Sequence, residues 1–259
     1  MHLNKLGIVQ GRLLPPIGNH IQEFPRAEWK LEFDLMENLG LTHIEWIVTD
    51  TSFKTKTLNL DVKKYGSKIS SVCCDHLIDN HFYKKSFLKE RLEPACEFAI
   101  KNNIKSLTIP LLEKSKLNNF NIDSAVENFV YFGKKYPSLN FSFEIENNAD
   151  ISLCLADCLP NFYLTYDTGN ITSCGIDHEI YIEKVFHKIN NVHLKDRTVD
   201  PISTVEPGNG DTDFYLIFDI LSKKCYKGWY TLQTARSKNG SETETISRHI
   251  KFYEKFIRS

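Results

Sequence analysis

The 259-residue sequence predicts an α/β fold made of eight strand–helix units. Two observations carry this expectation. Short strand-like runs alternate with stretches of helical periodicity along the chain, the pattern of a parallel sheet covered by helices. Closed barrels of this kind commonly run to about 250 residues as one domain. No linker, low-complexity tract or shift in composition marks a second unit, so residues 1–259 read as a single domain. Eight units at this length favour a closed barrel. A doubly wound open sheet shows the same alternation, and spacing alone does not separate the two.

Each unit has its own signal. Leu6-Gly7-Ile8-Val9 reads as the first strand, and the Pro and Gly content of Leu13 to Gly18 marks a loop. Trp29, Phe33, Met36 and Leu39 recur at helical spacing, and Gly40 stands where a helix would stop. Thr42 to Ile47 is the second strand, with His43 and Glu45 on one face and Trp46 turned out to pack on a helix. A short helix over Asp61 to Tyr65 precedes strand three, Ile69 to Cys74, which closes on Asp75-His76. The helix from Phe87 to Lys101 contains Pro94, which is expected to split it. Ser106 to Ile109 forms strand four and stops at Pro110. Ala125, Phe129 and Phe132 give the inner side of a helix over Asp123 to Tyr136. Strand five, Phe141 to Glu146, turns Ser142, Glu144 and Glu146 inward.

In strand six, Phe162 to Asp167, alternation turns Tyr163, Thr165 and Asp167 inward. Ile180, Ile182, Val185, Phe186 and Ile189 then outline a helical face, and Val192 to Lys195 forms strand seven with His193 and Lys195 inward. A loop over Thr198 to Asp211 leads to Asp213, placed to cap a helix over Phe214 to Leu221. Strand eight, Tyr230 to Gln233, points Thr231 and Gln233 inward, and a helix over Glu242 to Phe256 closes the chain. Two successive strands thus end in a carboxylate and an imidazole, Asp167 and His193, a pair able to hold a divalent metal.

Composition narrows the function. With 41% hydrophobic and 25% charged residues the chain is ordinary for a globular protein. Its net charge of -1 makes no electrostatic case for nucleic acid. No apolar run approaches the roughly 18 residues of a membrane span. Met1 to Lys5 lead straight into strand one without a secretory leader, and the seven cysteines are an odd number. Reduced, mostly buried thiols in the cytoplasm are therefore expected, with Cys73-Cys74 as core rather than as a metal or nucleophile site.

The segments GIVQGRL (7–13), YDTGN (166–170) and HLKDR (193–197) resemble the xylose isomerase-like TIM-barrel superfamily, and the likeness runs over nearly the whole chain. That group includes sugar isomerases, ketose 3-epimerases, inosose dehydratases and apurinic endonucleases. The resemblance implies a (β/α)8 TIM barrel with its site at the strand C-termini. It also implies one divalent metal (Mn, Mg, Co or Zn) held by Glu, Asp, His and a second Glu from four successive strands. Glu144, Asp167 and His193 match the first three positions; Gln233 stands at the fourth. A Gln oxygen can ligate a hard cation or bond substrate, but it cannot exchange a proton as a carboxylate does.

A symmetric two-base epimerisation is therefore disfavoured, and a one-base reaction survives. Glu144, as base and ligand, would abstract a proton next to a carbonyl and return it to the neighbouring carbon through a metal-held enediolate, as in aldose–ketose isomerisation. Lys195 would steady the oxyanion. A dehydratase or lyase shares the first step, and a non-catalytic sugar-binding barrel with a degraded site is the alternative of another class. Glu146 competes with Glu144 as ligand or contacts substrate. Arg12, Arg197 and Arg236, with Lys195, suit a phosphorylated or otherwise anionic carbohydrate, or pair with Asp196, Glu45 or Asp75. His76 and Glu45 are further substrate contacts, Glu45 alternatively orienting His193. In the plainer readings Asp167 caps the turn at Thr168-Gly169-Asn170 and His193 is a core histidine. An endonuclease is disfavoured for want of further His and acidic ligands. Such barrels often pair, so a homodimer is compatible.

Overall fold

The computed structural model describes residues 5–18, 20–78, 81–238 and 240–257; residues 1–4, expected to lead into the first strand, lie outside them. The strands are β1 (Leu6–Val9), β2 (Ile44–Ile47), β3 (Ile69–Cys73), β4 (Ser106–Leu111), β5 (Asn140–Ile145), β6 (Phe162–Asp167), β7 (Ile189–Leu194), β8 (Asp196–Thr198), β9 (Ser203–Val205) and β10 (Trp229–Leu232). The α-helices are α1 (Trp29–Asn38), α2 (Asp50–Lys54), α3 (Lys85–Lys101), α4 (Ile122–Lys135), α5 (Ala149–Ala156), α6 (Thr168–Ser173), α7 (His178–Val185), α8 (Phe214–Lys223) and α9 (Glu242–Ile257). Eight parallel strands close into a barrel in the order β1-β10-β7-β6-β5-β4-β3-β2, which removes the open-sheet alternative.

Alternation along the strands builds two environments. Outward side chains form the core with the helices: Phe143 meets Phe129 of α4 and Phe162 edge-on, Tyr166 stacks on Tyr181, and Trp46 packs on Trp29, Phe24 and Phe98. Inward side chains fill the barrel with a polar network. Ser142 Oγ lies 2.7 Å from Thr165 Oγ1, and Thr231 Oγ1 donates to Asn191 Oδ1 at 3.0 Å. Gly7 is required beside this network, because a Cβ there would come within 2.3 Å of the His43 ring. Cys73 and Cys74 are buried in the core and all seven cysteines are free thiols. Burial pushes both Cys73 and Cys74 thiols well above the usual range, so neither is an ionised nucleophile.

Several local expectations are corrected. α3 runs unbroken through Pro94. Burial of Leu88 and Leu92 before it and Phe98 after it, each at about 1.5–3 kcal/mol, outweighs the ~3 kcal/mol a proline typically removes. β4 continues through Pro110 to Leu111. Thr108 O bonds Cys74 on the β3 side, so Pro110, two residues on, turns its missing donor to that side past the end of β3. α7 starts only where Asp177 caps it, so Ile180 is exposed, the buried face is Tyr181, Ile182 and Val185, and Ile189 opens β7. Two 3-10 segments, Thr57–Asn59 and Lys63–Lys68, replace the short helix expected over Asp61 to Tyr65. The expected loop after β7 contains the antiparallel hairpin β8–β9. α2, α5 and α6 carried no sequence expectation. No helix among the described residues is long and apolar enough to cross a membrane.

Candidate metal centre and substrate cavity

Register brings three residues together at the barrel mouth. Glu144 on β5 lies beside Thr165, and Asp167, two residues further along β6, lies beside His193 of β7. One ligand atom from each of Glu144, Asp167 and His193 lies within 4.8 Å of the others. His193 Nδ1 is 3.4 Å from Glu144 Oε2 and 4.0 Å from Asp167 Oδ2, with all three side chains buried.

Each of the three is held from behind. His193 Nε2 bonds Glu45 Oε2 at 2.7 Å, and Glu45 Oε1 accepts from Ser71 at 2.6 Å and from Thr108. This fixes the imidazole so that Nδ1, which has no hydrogen-bond partner, faces the two carboxylates. Asp167 Oδ1 caps α6 by accepting from Asn170 N at 2.8 Å, while Oδ2 meets Lys195 Nζ at 2.8 Å. The capping and the metal-facing readings of Asp167 thus hold together, one for each oxygen. Asn170 ties the cluster: its Nδ2 donates to Glu144 Oε1 at 2.8 Å, and its Oδ1 accepts from Lys195 at 3.3 Å and Arg197 at 3.0 Å. Gly169 makes room for this, since a Cβ there would lie 2.9 Å from Arg197 Cγ and 3.0 Å from Lys195 Cγ.

Charge follows the same geometry. Burial alone would raise Asp167, but Lys195 and His193 outweigh it and hold the carboxyl below its usual range. Burial opposes charge on His193 too, and Glu45 and Glu144 overcome it, pushing the imidazole up to about 10. Glu45 sits below its usual range because His193, Ser71 and Thr108 outweigh its burial.

No family model matches the chain. A local match joins it to an inosose dehydratase of Clostridium tetani, 33% identical over 88 residues, covering 27% of this chain and 30% of that relative. The matched part thus spans less than a third of the curated relative's length. Solved structures match over nearly the full chain. The IOLI protein with a bound zinc atom has a TM-score of 0.75 at 14% identity, covering 97% of this chain and 99% of that one. D-allulose 3-epimerase from Methylomonas sp. has a TM-score of 0.74 at 14% identity, covering 97% and 98%. Two xylose isomerase domain proteins and a xylose isomerase-like TIM-barrel protein from Mycobacterium smegmatis are among the other structures that match. This chain has the xylose isomerase-like TIM-barrel fold.

In this xylose isomerase-like barrel the donor set of Glu144, Asp167 and His193 fits a divalent metal. It offers one imidazole nitrogen without a hydrogen bond and two carboxylates, all oriented by neighbours. Gln233 follows β10, and its Oε1 is buried without a hydrogen-bond partner, the condition of an oxygen open to a cation or a substrate hydroxyl. Gln233 and Lys195 line a cavity of about 480 Å³ with Arg12, Asp75 and Arg236. A second cavity of about 490 Å³ shares Lys195 and holds Glu146, Arg197 and Lys116.

The remaining expected site residues divide. Arg12 donates to Thr234 O at 2.7 Å and Gln22 Oε1 at 3.0 Å; burial and nearby Arg236 lower its pKa to about 9. Arg236 donates to Ile21 O and Leu14 O, both at 2.8 Å, and lies 3.5 Å from Glu242. Arg197 lies 3.6 Å from Glu146, so Glu146 faces the second cavity as Glu144 joins the cluster. Asp196, weighed as a partner for these cations, instead accepts from Gly208 N at 2.8 Å and Gly210 N at 3.0 Å and holds the return of the hairpin loop.

Two expected substrate contacts are corrected. Glu45 has no exposed surface, so its place is behind His193, the alternative weighed for it. His76 puts both ring nitrogens on backbone carbonyls, Val48 O at 3.2 Å and Arg91 O at 2.9 Å, stacks on Phe53, and lines neither cavity. Sequence reasoning missed Asn170; of Asp75 and His76, the pair that closes strand three, Asp75 is the one that lines the cavity. Asn170 carried a signal, since it stands three residues after Asp167, where a capping Asp finds its partner.

Proposed function

We propose that this protein is a metal-dependent enzyme that removes a proton from the carbon next to a carbonyl in a sugar or cyclic polyol, the step with which both isomerisation and dehydration begin. The observation that carries the reading is the buried Glu144–Asp167–His193 cluster opening through Lys195 onto a cavity. A divalent cation bound by these residues supplies Lewis-acid polarisation of a carbonyl oxygen. Glu144, oriented by Asn170, takes the proton. Lys195 places an ammonium beside the cluster where negative charge grows on the substrate oxygen. Gln233 bonds a substrate hydroxyl or joins the ligands. Arg12, Arg236 and Lys238 line the cavity and suit an anionic group on the substrate, phosphate included.

Dehydration of a polyhydroxy ketone is the second reading, supported by the local match to an inosose dehydratase. Both readings begin with the same proton transfer. The test is metal content by elemental analysis together with deuterium uptake from D2O next to the carbonyl of 2-keto-myo-inositol, D-fructose and D-allulose. About one metal per chain and exchange with at least one probe are expected, with both signals falling in His193→Ala and the exchange lost in Glu144→Gln. Full exchange in Glu144→Gln, or no metal after loading with Mn or Zn, refutes the reading.

A further inference from the structure

Two carboxylates outside the cluster line the cavity, Asp75 and Glu206, and Glu206 lies 3.5 Å from Arg248. Asp75 stands just past β3, and the barrel order sets β3 four strands from β7, directly across the mouth from His193 and Lys195. Asp75 lines the same cavity as Lys195 and Gln233. Among the described residues its carboxyl makes no hydrogen bond or ion pair, whereas Glu45, Asp167 and Glu144 are each held by neighbours. A half-buried carboxyl facing a substrate cavity without a partner is placed to exchange protons with what the cavity holds.

We propose that Asp75 is the second proton-transfer residue of this site, giving a proton to the leaving hydroxyl after Glu144 has taken one from carbon, which makes the overall reaction a dehydration. This rests on the proton abstraction proposed above and decides between its two outcomes. Glu144 removes the proton next to the carbonyl, and the C–H electron pair becomes an enolate double bond. That electron density then expels the hydroxyl on the adjacent carbon. The C–O bond breaks, a carbon–carbon double bond conjugated to the carbonyl forms, and the Asp75 proton leaves with the hydroxyl as water. Glu144 is left protonated and Asp75 ionised, and one proton passing between them through solvent resets the pair. Gln233 cannot fill the second role, and Asp75 supplies it from the other side of the mouth. Burial, with Glu144, Glu113 and Glu23 nearby and Arg12 opposing, pushes Asp75 up to about 7, so a proton is available near neutral pH.

The experiment compares wild type with Asp75→Asn and Asp75→Glu, using 2-keto-myo-inositol in D2O, with metal content and melting temperature measured beside it. Wild type is expected to exchange deuterium next to the carbonyl and to form a product lighter by one water. Asp75→Asn is expected to keep its metal and the exchange while product formation falls roughly 10²–10⁴-fold, the range for losing a general acid. Asp75→Glu, which keeps a carboxyl, is expected to recover much of that rate, which a structural role would not require. Should Asn lower the melting temperature, the Glu variant decides. Wild-type product formation in Asp75→Asn overturns the proposal, as does wild-type exchange without loss of water. No exchange in the wild type refutes instead the proton abstraction on which it rests.

Discussion

Glu45→Gln tests whether the buried pair behind His193 organises the metal centre. Glu45 is fully buried and accepts from His193, Ser71 and Thr108. Gln has the same shape and keeps one acceptor oxygen, but it removes the charge and turns the other oxygen into a donor. If Ser71 and Thr108 keep the remaining oxygen, His193 Nε2 faces an NH2 group, so the ring loses what sets its tautomer and orientation. Replacing such an outer partner typically weakens metal binding by about 10–100-fold, or ~1.4–2.7 kcal/mol. In the metal-free protein, removing one member of a buried ion pair costs about 3–5 kcal/mol, of which Gln recovers a part through its hydrogen bonds. The assay is Zn or Mn titration against a competing chelator, with thermal melts of both forms. Weaker binding and a lower metal-free melting temperature are expected together. Wild-type metal affinity in a folded Glu45→Gln protein would falsify the argument that Glu45 positions His193.

Two further predictions rest on other groups. Lys195→Met removes the ammonium that contacts Asp167 Oδ2 at 2.8 Å, so metal binding is expected to hold or tighten while deuterium exchange falls by at least about tenfold; joint loss of metal and exchange would show a role in building the centre instead. Burial raises the Glu32 carboxyl from 4.5 to about 7 against hydrogen bonds from Gly11 N and Leu13 N. The folded state therefore holds a proton that the unfolded chain releases, and stability is fully present below pH 4.5 and falls as pH rises through about 7, by ~3 kcal/mol. Chemical denaturation across that window should show the decline, and Glu32→Gln should flatten it; an unchanged slope in the variant would assign the pH dependence elsewhere.

What could be read from the residues in order was set by local rules. Period-two alternation turned Glu144, Asp167 and His193 inward, and helical spacing placed α1, α4 and α9 within a few residues of their bounds, because both patterns depend on neighbours a few positions apart. The same alternation left Glu144 and Glu146 as equals, and register separated them by setting Glu144 beside Thr165 while Glu146 lies past the end of β5, near Arg197. Pro94 and Pro110 misled for a related reason: the backbone loss is local, whereas the packing and strand pairing that outweigh it come from distant segments. The polar barrel network, Glu45 behind His193 across 148 residues of sequence, and Asp75 across the mouth from Lys195 were decided only by closure of the barrel. Alternation gives the sign of each side chain's direction, but the distance between two ends of different strands exists only once the sheet has curled and its register is set.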